Sequence, residues 1–157
     1  MKTTLDDLHR SVNLLDIEFE WSACVHYKSL RLYHDNSYKS LTGQDKSRAR
    51  FKVGVYRHMA IIEDEPTVLY VGMSRTSSIG NRQTSHLSSF KNPKDEHEMS
   101  GKKYREYIKK LGLESIDITI EYVDLGHLNS ALIPLFEVAS IDYFIPVLNP
   151  PGSSERI

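Results

Sequence analysis

Cysteine is almost absent from this chain of 157 residues, where Cys24 stands alone. An internal disulfide is therefore excluded, and no zinc site can be assembled from cysteine spacing. Such usage points to a reducing cytosol. Long hydrophobic runs are missing as well, so the sequence offers no membrane span. No hydrophobic signal core follows Met1, and the expectation is a chain that is not secreted. Excess charge of either sign is also lacking, the formal net charge being -1. That argues against a protein that coats nucleic acid without specificity, while leaving room for a local basic face. The length suffices for one domain with a real core.

What the chain does have is a central pair of β-rich runs. Residues 51–59 read Phe-Lys-Val-Gly-Val-Tyr-Arg-His-Met, and residues 67–72 read Thr-Val-Leu-Tyr-Val-Gly. The polar break Glu63-Asp64-Glu65-Pro66 between them predicts a β-hairpin with a loop longer than two residues. Alternation puts Tyr56 and His58 on one face, Val53 and Val55 on the other, and Val68, Tyr70 and Gly72 together on the second strand. Tyr56 and Tyr70 can then lie near each other. A Ser/Thr-rich stretch after Gly72 suits a turn and a helix cap. The helix that follows, from Ile79 to Phe90, carries Arg82 and His86 one turn apart on one face. Singly, a strand tyrosine packs, a strand glycine marks a bulge, and such an Arg/His pair is a solvated face.

Around this centre the pattern is ordinary. Leu5, Leu8, Val12 and Leu15 predict a short amphipathic helix. Alternation from Ile17 to Tyr27 favours a strand, with a helix as runner-up. Residues 33–52 show no apolar period and are expected to form a basic loop or induced-fit segment, either meeting DNA phosphates or serving as a solvated linker. Residues 91–98 are turn-like and charged. Tyr104, Ile108 and Leu111 mark the inner side of a helix whose outer side carries Lys102, Lys103, Arg105, Lys109 and Lys110, with Gly112 as its stop. That face is a candidate DNA-backbone contact or a solubilising surface. Residues 115–125 alternate as a third strand, with Ile116, Ile118, Ile120 and Tyr122 inward. A last helix from Ala131 to Phe144 is expected to bury Leu132, Leu135, Phe136, Ala139 and Tyr143, leaving Glu137 off that stripe. Pro134 must fall in its first turn.

Taken in order, Gly54-Val55-Tyr56, Tyr70-Val71-Gly72, Arg82, Glu137, Pro146 and Asn149 resemble the GIY-YIG nuclease family over residues 52–150. The likeness is to its small stand-alone members, the phage endonuclease and restriction-enzyme types. Three features depart from the family pattern. The intervals from Tyr56 to Tyr70 and from Gly72 to Arg82 are longer than usual, and Met73 stands where many members have a lysine. Arg75 competes for the arginine role, and Arg82 is preferred because His86 follows it.

The resemblance implies an α+β fold: a three-stranded, mainly antiparallel sheet flanked by helices. Residues 1–50 would form an N-terminal extension, residues 51–151 the catalytic domain and residues 152–157 a loose tail. It implies a Mg²⁺-dependent (or Mn²⁺-dependent) DNA endonuclease giving 5′-phosphate and 3′-hydroxyl ends. Tyr56, Tyr70, Arg82, His86 and Glu137 would be catalytic, and Glu137 the metal ligand. Tyr56 or His86 would act as base. Arg75, Lys102, Lys103 and Arg105 would contact double-stranded DNA, while Gly54, Gly72 and Asn149 are structural. One active site cuts one strand, so double-strand cleavage implies a homodimer or homotetramer, or sequential nicks. The alternatives are a repair nuclease, or a binding module that keeps the fold without cleaving.

Overall fold

The computed structural model describes residues 30–35, 37–40, 49–91 and 100–153. The helix expected near Leu5–Leu15, the strand near Ile17–Tyr27 and residues 36 and 41–48 of the basic loop lie outside the described residues. Five strands form one antiparallel sheet: β1 (Leu30–Tyr33), β2 (Tyr38–Ser40), β3 (Gly54–Ile62), β4 (Glu65–Ser74) and β5 (Ser115–Asp124). Their order is β2-β1-β5-β3-β4. Three helices flank it: α1 (Ile79–Lys91), α2 (Ser100–Lys110) and α3 (Ile133–Phe144), the last entered through a 3-10 turn at Ser130–Leu132. The class is α+β, but five strands replace the expected three. β1 pairs with β5 and β2 with β1, so residues 30–40 extend the same sheet as the hairpin. β2 lies in the stretch expected to be loop. Tyr-Lys-Ser has no strand pattern of its own, and pairing with β1 imposes one.

The hairpin differs from expectation in two further ways. Its turn has two central residues, Glu63 and Asp64, both at positive φ (50° and 65°), between the paired Ile62 and Glu65. Positive φ at both centres is the type I′ signature, which matches strand twist and is usually filled by Asn or Gly. The polar run thus contributes to the strand: Glu65 and Pro66 belong to β4. The second difference is a bulge. His58 pairs with Tyr70 but Met59 pairs with Val68, leaving Leu69 extra. Alternation breaks there. Val68 packs with the residues of one face, whereas Leu69 and Tyr70 both join the other.

Two apolar layers result. On one side Tyr56, Tyr70, Ile116, Ile118, Ile120 and Tyr122 meet Ile79, Leu87 and Phe90 of α1 and Tyr104 and Ile108 of α2. On the other, Val55, Val71, Val123 and Leu125 meet Ile133 and Phe136 of α3. α2 ends as expected. Gly112 (φ 70°) donates to the Lys109 carbonyl at 3.0 Å and Leu113 to that of Ile108 at 3.1 Å, the double bond of a Schellman cap.

The stripe expected on α3 is corrected. Leu132, Leu135 and Tyr143 are 41%, 40% and 55% exposed, while Ile133, Phe136, Glu137, Ala139 and Ser140 face the sheet. Pro134 is at the helix start, where its missing N–H costs nothing. Beyond α3 the chain runs along the free edge of β4, with the Val147 and Leu148 amides donating to the Val68 and Leu69 carbonyls. No described helix is long and apolar enough to cross a membrane.

Candidate active site

The strand period places Tyr56 and His58 of β3 on the face that α1 covers, with Tyr70 beside them from β4. Ser78 caps α1, its Oγ accepting from the Asn81 amide at 3.1 Å. From that start the helix turns Arg82, Gln83 and His86 toward the sheet. Tyr56 Oη lies 2.8 Å from His86 Nε2, both residues being almost fully buried. The same phenol is hydrogen-bonded by Arg82 and Tyr70. Ring centroids of Tyr56 and Tyr70 are 6.1 Å apart, and those of Tyr70 and His86 5.2 Å. Four of the five expected catalytic residues therefore meet at one point. Arg82 is only half-buried and is the accessible member of the group.

Gly72 is dictated by this packing. It stands directly across from Tyr56, and a Cβ on it would lie 2.5 Å from Tyr56 Oη. The ring lies over the missing side chain. Gly54 has φ 150° and would drive a Cβ to within 2.0 Å of the Val123 carbonyl. Asn149 clamps the edge of β4, accepting from the Val71 amide at 3.1 Å and donating to the Val71 carbonyl at 2.6 Å.

Electrostatics fix the protons. Burial holds the Tyr56 phenol well above its ordinary range, the Tyr70 phenol adding to the effect and the Arg82 charge opposing it. Burial likewise pushes His86 well down, and His58 and Arg82 act in the same direction. At neutral pH a protonated Tyr56 thus donates to the bare Nε2 of a neutral His86, whose own proton sits on Nδ1.

Three members of this cluster escaped the sequence reading. His58, fully buried, has Nδ1 2.5 Å from Tyr104 Oη and Nε2 2.9 Å from Gln83 Oε1. Burial pushes its pKa down to about 4, against the Gln83 bond. Tyr104 was visible only as a core position and Gln83 only as the neighbour of Arg82. The one available signal was that His58 shares the face of Tyr56.

Glu137 is 9% exposed on the sheet-facing side of α3. α3 packs on the valine face, so it approaches the β3–β4 ribbon from the side opposite Tyr56, Tyr70 and His86. Arg75 is exposed in the loop after β4. Lys102 is exposed and 4.0 Å from Glu106, Lys103 reaches the Leu148 carbonyl at 3.4 Å, and Arg105 is half-buried on α2. A groove of about 630 Å³ lined by Arg31, Met59, Asp117 and Glu121 contains none of these residues. Of the charges that line it, Arg31 is paired with Asp117 and Glu121 with Arg57.

No family model, curated protein or solved structure matches the chain.

Proposed function

We propose that the chain is a GIY-YIG-type endonuclease that hydrolyses DNA phosphodiester bonds. The observation that carries this reading is the 2.8 Å bond from Tyr56 to His86, with Arg82 on the same phenol. A phenol with an imidazole acceptor behind it is a proton-abstracting pair. A guanidinium in front of it is a phosphate fork. The scissile phosphate competes with Tyr56 for Arg82, and drawing Arg82 outward uncovers the phenol. The Tyr56–His86 pair then takes a proton from the attacking water. The new P–O bond forms as the bond to the 3′-oxygen breaks, and that oxygen takes a proton from solvent water, leaving 5′-phosphate and 3′-hydroxyl ends. Tyr70 holds the phosphate or orders the water.

Mg²⁺ or Mn²⁺ would have to be held mainly by water and phosphate, because the described residues do not build a cation site on the Tyr56 face and Glu137 comes from the α3 side of the ribbon. Glu137 offers one hard oxygen ligand, and among the described residues no group of three or more His, Cys, Asp or Glu forms a protein cage. Such a cation, when bound, supplies Lewis-acid stabilisation of the phosphoryl and 3′-oxygens. Lys102, Lys103, Arg105 and Arg75 would follow the duplex backbone.

Supercoiled plasmid incubated with and without Mg²⁺ tests the reading. Nicked or linear product with Mg²⁺, lost in Glu137→Gln while gel-shift binding persists, is the expected result. Intact plasmid with retained binding would instead establish a second reading, a DNA-binding module without cleavage. The complete burial of Tyr56 favours that second reading.

A further inference from the structure

The buried side of α1 is unusual in its polarity. Gln83, His86 and Ser89 recur every third residue along it, and each is almost fully buried. Spacing of three keeps them on one stripe. Each meets one hydrogen-bonding key in the body of the protein. His86 meets Tyr56, Gln83 meets His58, and Ser89 Oγ accepts from the Gly101 amide at 2.7 Å. Gly101 permits that last contact, since a Cβ there would fall 2.3 Å from the Ser89 carbonyl.

Apolar packing alone tolerates small rotations of a helix, because dispersion and burial are non-directional. Hydrogen bonds weaken steeply off axis. The rotation of α1, and with it the aim of Arg82 and His86, is therefore governed by this stripe.

His58 is the hub. Its ring centroid lies 5.6 Å from Tyr56, 5.4 Å from Tyr70, 5.1 Å from His86 and 5.8 Å from Tyr104. With Gln83 Oε1 as acceptor, His58 carries its proton on Nε2 and takes the Tyr104 hydroxyl proton at Nδ1. His58 and His86 are thereby opposite tautomers in edge-to-face contact. The Gln83 amide nitrogen has no partner among the described residues, where the His58 bond is what ties that side chain to the sheet. We infer that His58 is a positioning residue of the site: by bonding Gln83 on α1 and Tyr104 on α2 at once, it fixes the rotation of α1 that aims Arg82 and His86 at the Tyr56 phenol. The inference rests on the nuclease reading for its catalytic consequence, but not for its geometry.

Three substitutions in the full chain separate positioning from filling of space. The amide of His58→Gln overlies Nε2 and can still donate to Gln83. The amide of His58→Asn overlies Nδ1, reaching Tyr104 but not Gln83. His58→Phe fills the space with no bond. Positioning predicts single-turnover plasmid cleavage in the order wild type, Gln, then Asn and Phe. Asn and Phe should fall by roughly 10²-fold, the scale of a 1 Å misplacement. A packing role would put Phe at or above Gln, which would overturn the inference.

Imidazole ¹⁵N spectra give a readout independent of cleavage. In wild type, His58 should report Nε2–H and His86 Nδ1–H. In the Phe and Asn variants the His86 signature should be lost or averaged between tautomers. An unchanged His86 spectrum in a folded Phe variant would also overturn it. Should His58→Phe not fold, Gln83→Met removes the same bond from the helix side, and the same spectral change is required. If wild type fails to cut plasmid, the nuclease reading falls, and the spectra alone decide the positioning role.

Discussion

On one face of the β3–β4 ribbon Val55 and Val71 meet Ile133 and Phe136, and apolar packing dominates the fit. On the other, Tyr56, His58 and Tyr70 meet Gln83 and His86, and the Tyr56–His86 and His58–Gln83 contacts also carry a proton that must be placed. The first face contributes stability through removal of apolar area from water and tolerates near-isosteric change. The second is costly wherever one partner is missing, because a buried polar group left unpaired loses its solvation without compensation. Two faces of one strand pair thus divide the labour. The valine face supplies apolar support, with Glu137 carried on the α3 that packs there, and the phenol face spends part of that stability on a directed cluster.

The sharpest way to break that division is to truncate each side once. Phe136→Ala should lower unfolding free energy by about 3–5 kcal/mol. Cleavage per folded molecule should stay unchanged, as read by urea melts and active-fraction-corrected rates. Arg82→Ala should do the reverse, costing roughly 10²–10³-fold in single-turnover rate with little change in the melt. If Arg82→Ala unfolds the protein, or Phe136→Ala inactivates folded molecules, the two faces are not separable in this way.

Acid should distinguish the faces next. His58 is held at about 4 in the fold against about 6.5 in an unfolded chain, and His86 is lowered as well. Between those values the unfolded state binds the proton and the folded state does not. Stability is therefore full above pH ~6.5 and falls as pH drops toward ~4, by roughly 3 kcal/mol for His58. His58→Gln should flatten that slope in melts collected from pH 7 to 4.5, whereas Ile133→Val should shift all melts by a similar ~1 kcal/mol.

The smallest effect belongs outside both faces. Arg75→Ala, in the exposed loop, should leave the saturated cleavage rate intact and reduce the salt slope of DNA binding by about one. Were Arg75 the indispensable arginine instead, Arg82 would be reduced to an internal contact of the cluster.

Much of the cluster was legible because strand and helix periods are local. The period of two set Tyr56 and His58 against Val55, and the period of 3.6 set Arg82 beside His86. Departures arose where long-range contacts overrode local pattern. Glu63 and Asp64 occupy a tight turn at positive φ that their residue types do not advertise, so the sequence predicts a longer loop. The bulge at Leu69 moved Val68 to the opposite face from Tyr70, and nothing in Val-Leu-Tyr announces it. On α3, apolar residues outnumber the space beneath the helix. The apolar pattern predicts Leu132, Leu135 and Tyr143 as buried, but Glu137 and Ser140 take the inner positions.

By itself the sequence determined the hairpin, the third strand, the helix that carries Arg82 and His86, the stop at Gly112 and the faces of β3. Each follows from steric preferences that reach only a few residues along the chain. Only the tertiary structure decided that β1 and β2 widen the sheet, that His58 joins two helices, and that Tyr56 lies across Gly72 onto His86. Those choices depend on which distant groups can satisfy one another's buried hydrogen bonds, a condition that no short stretch of residues encodes.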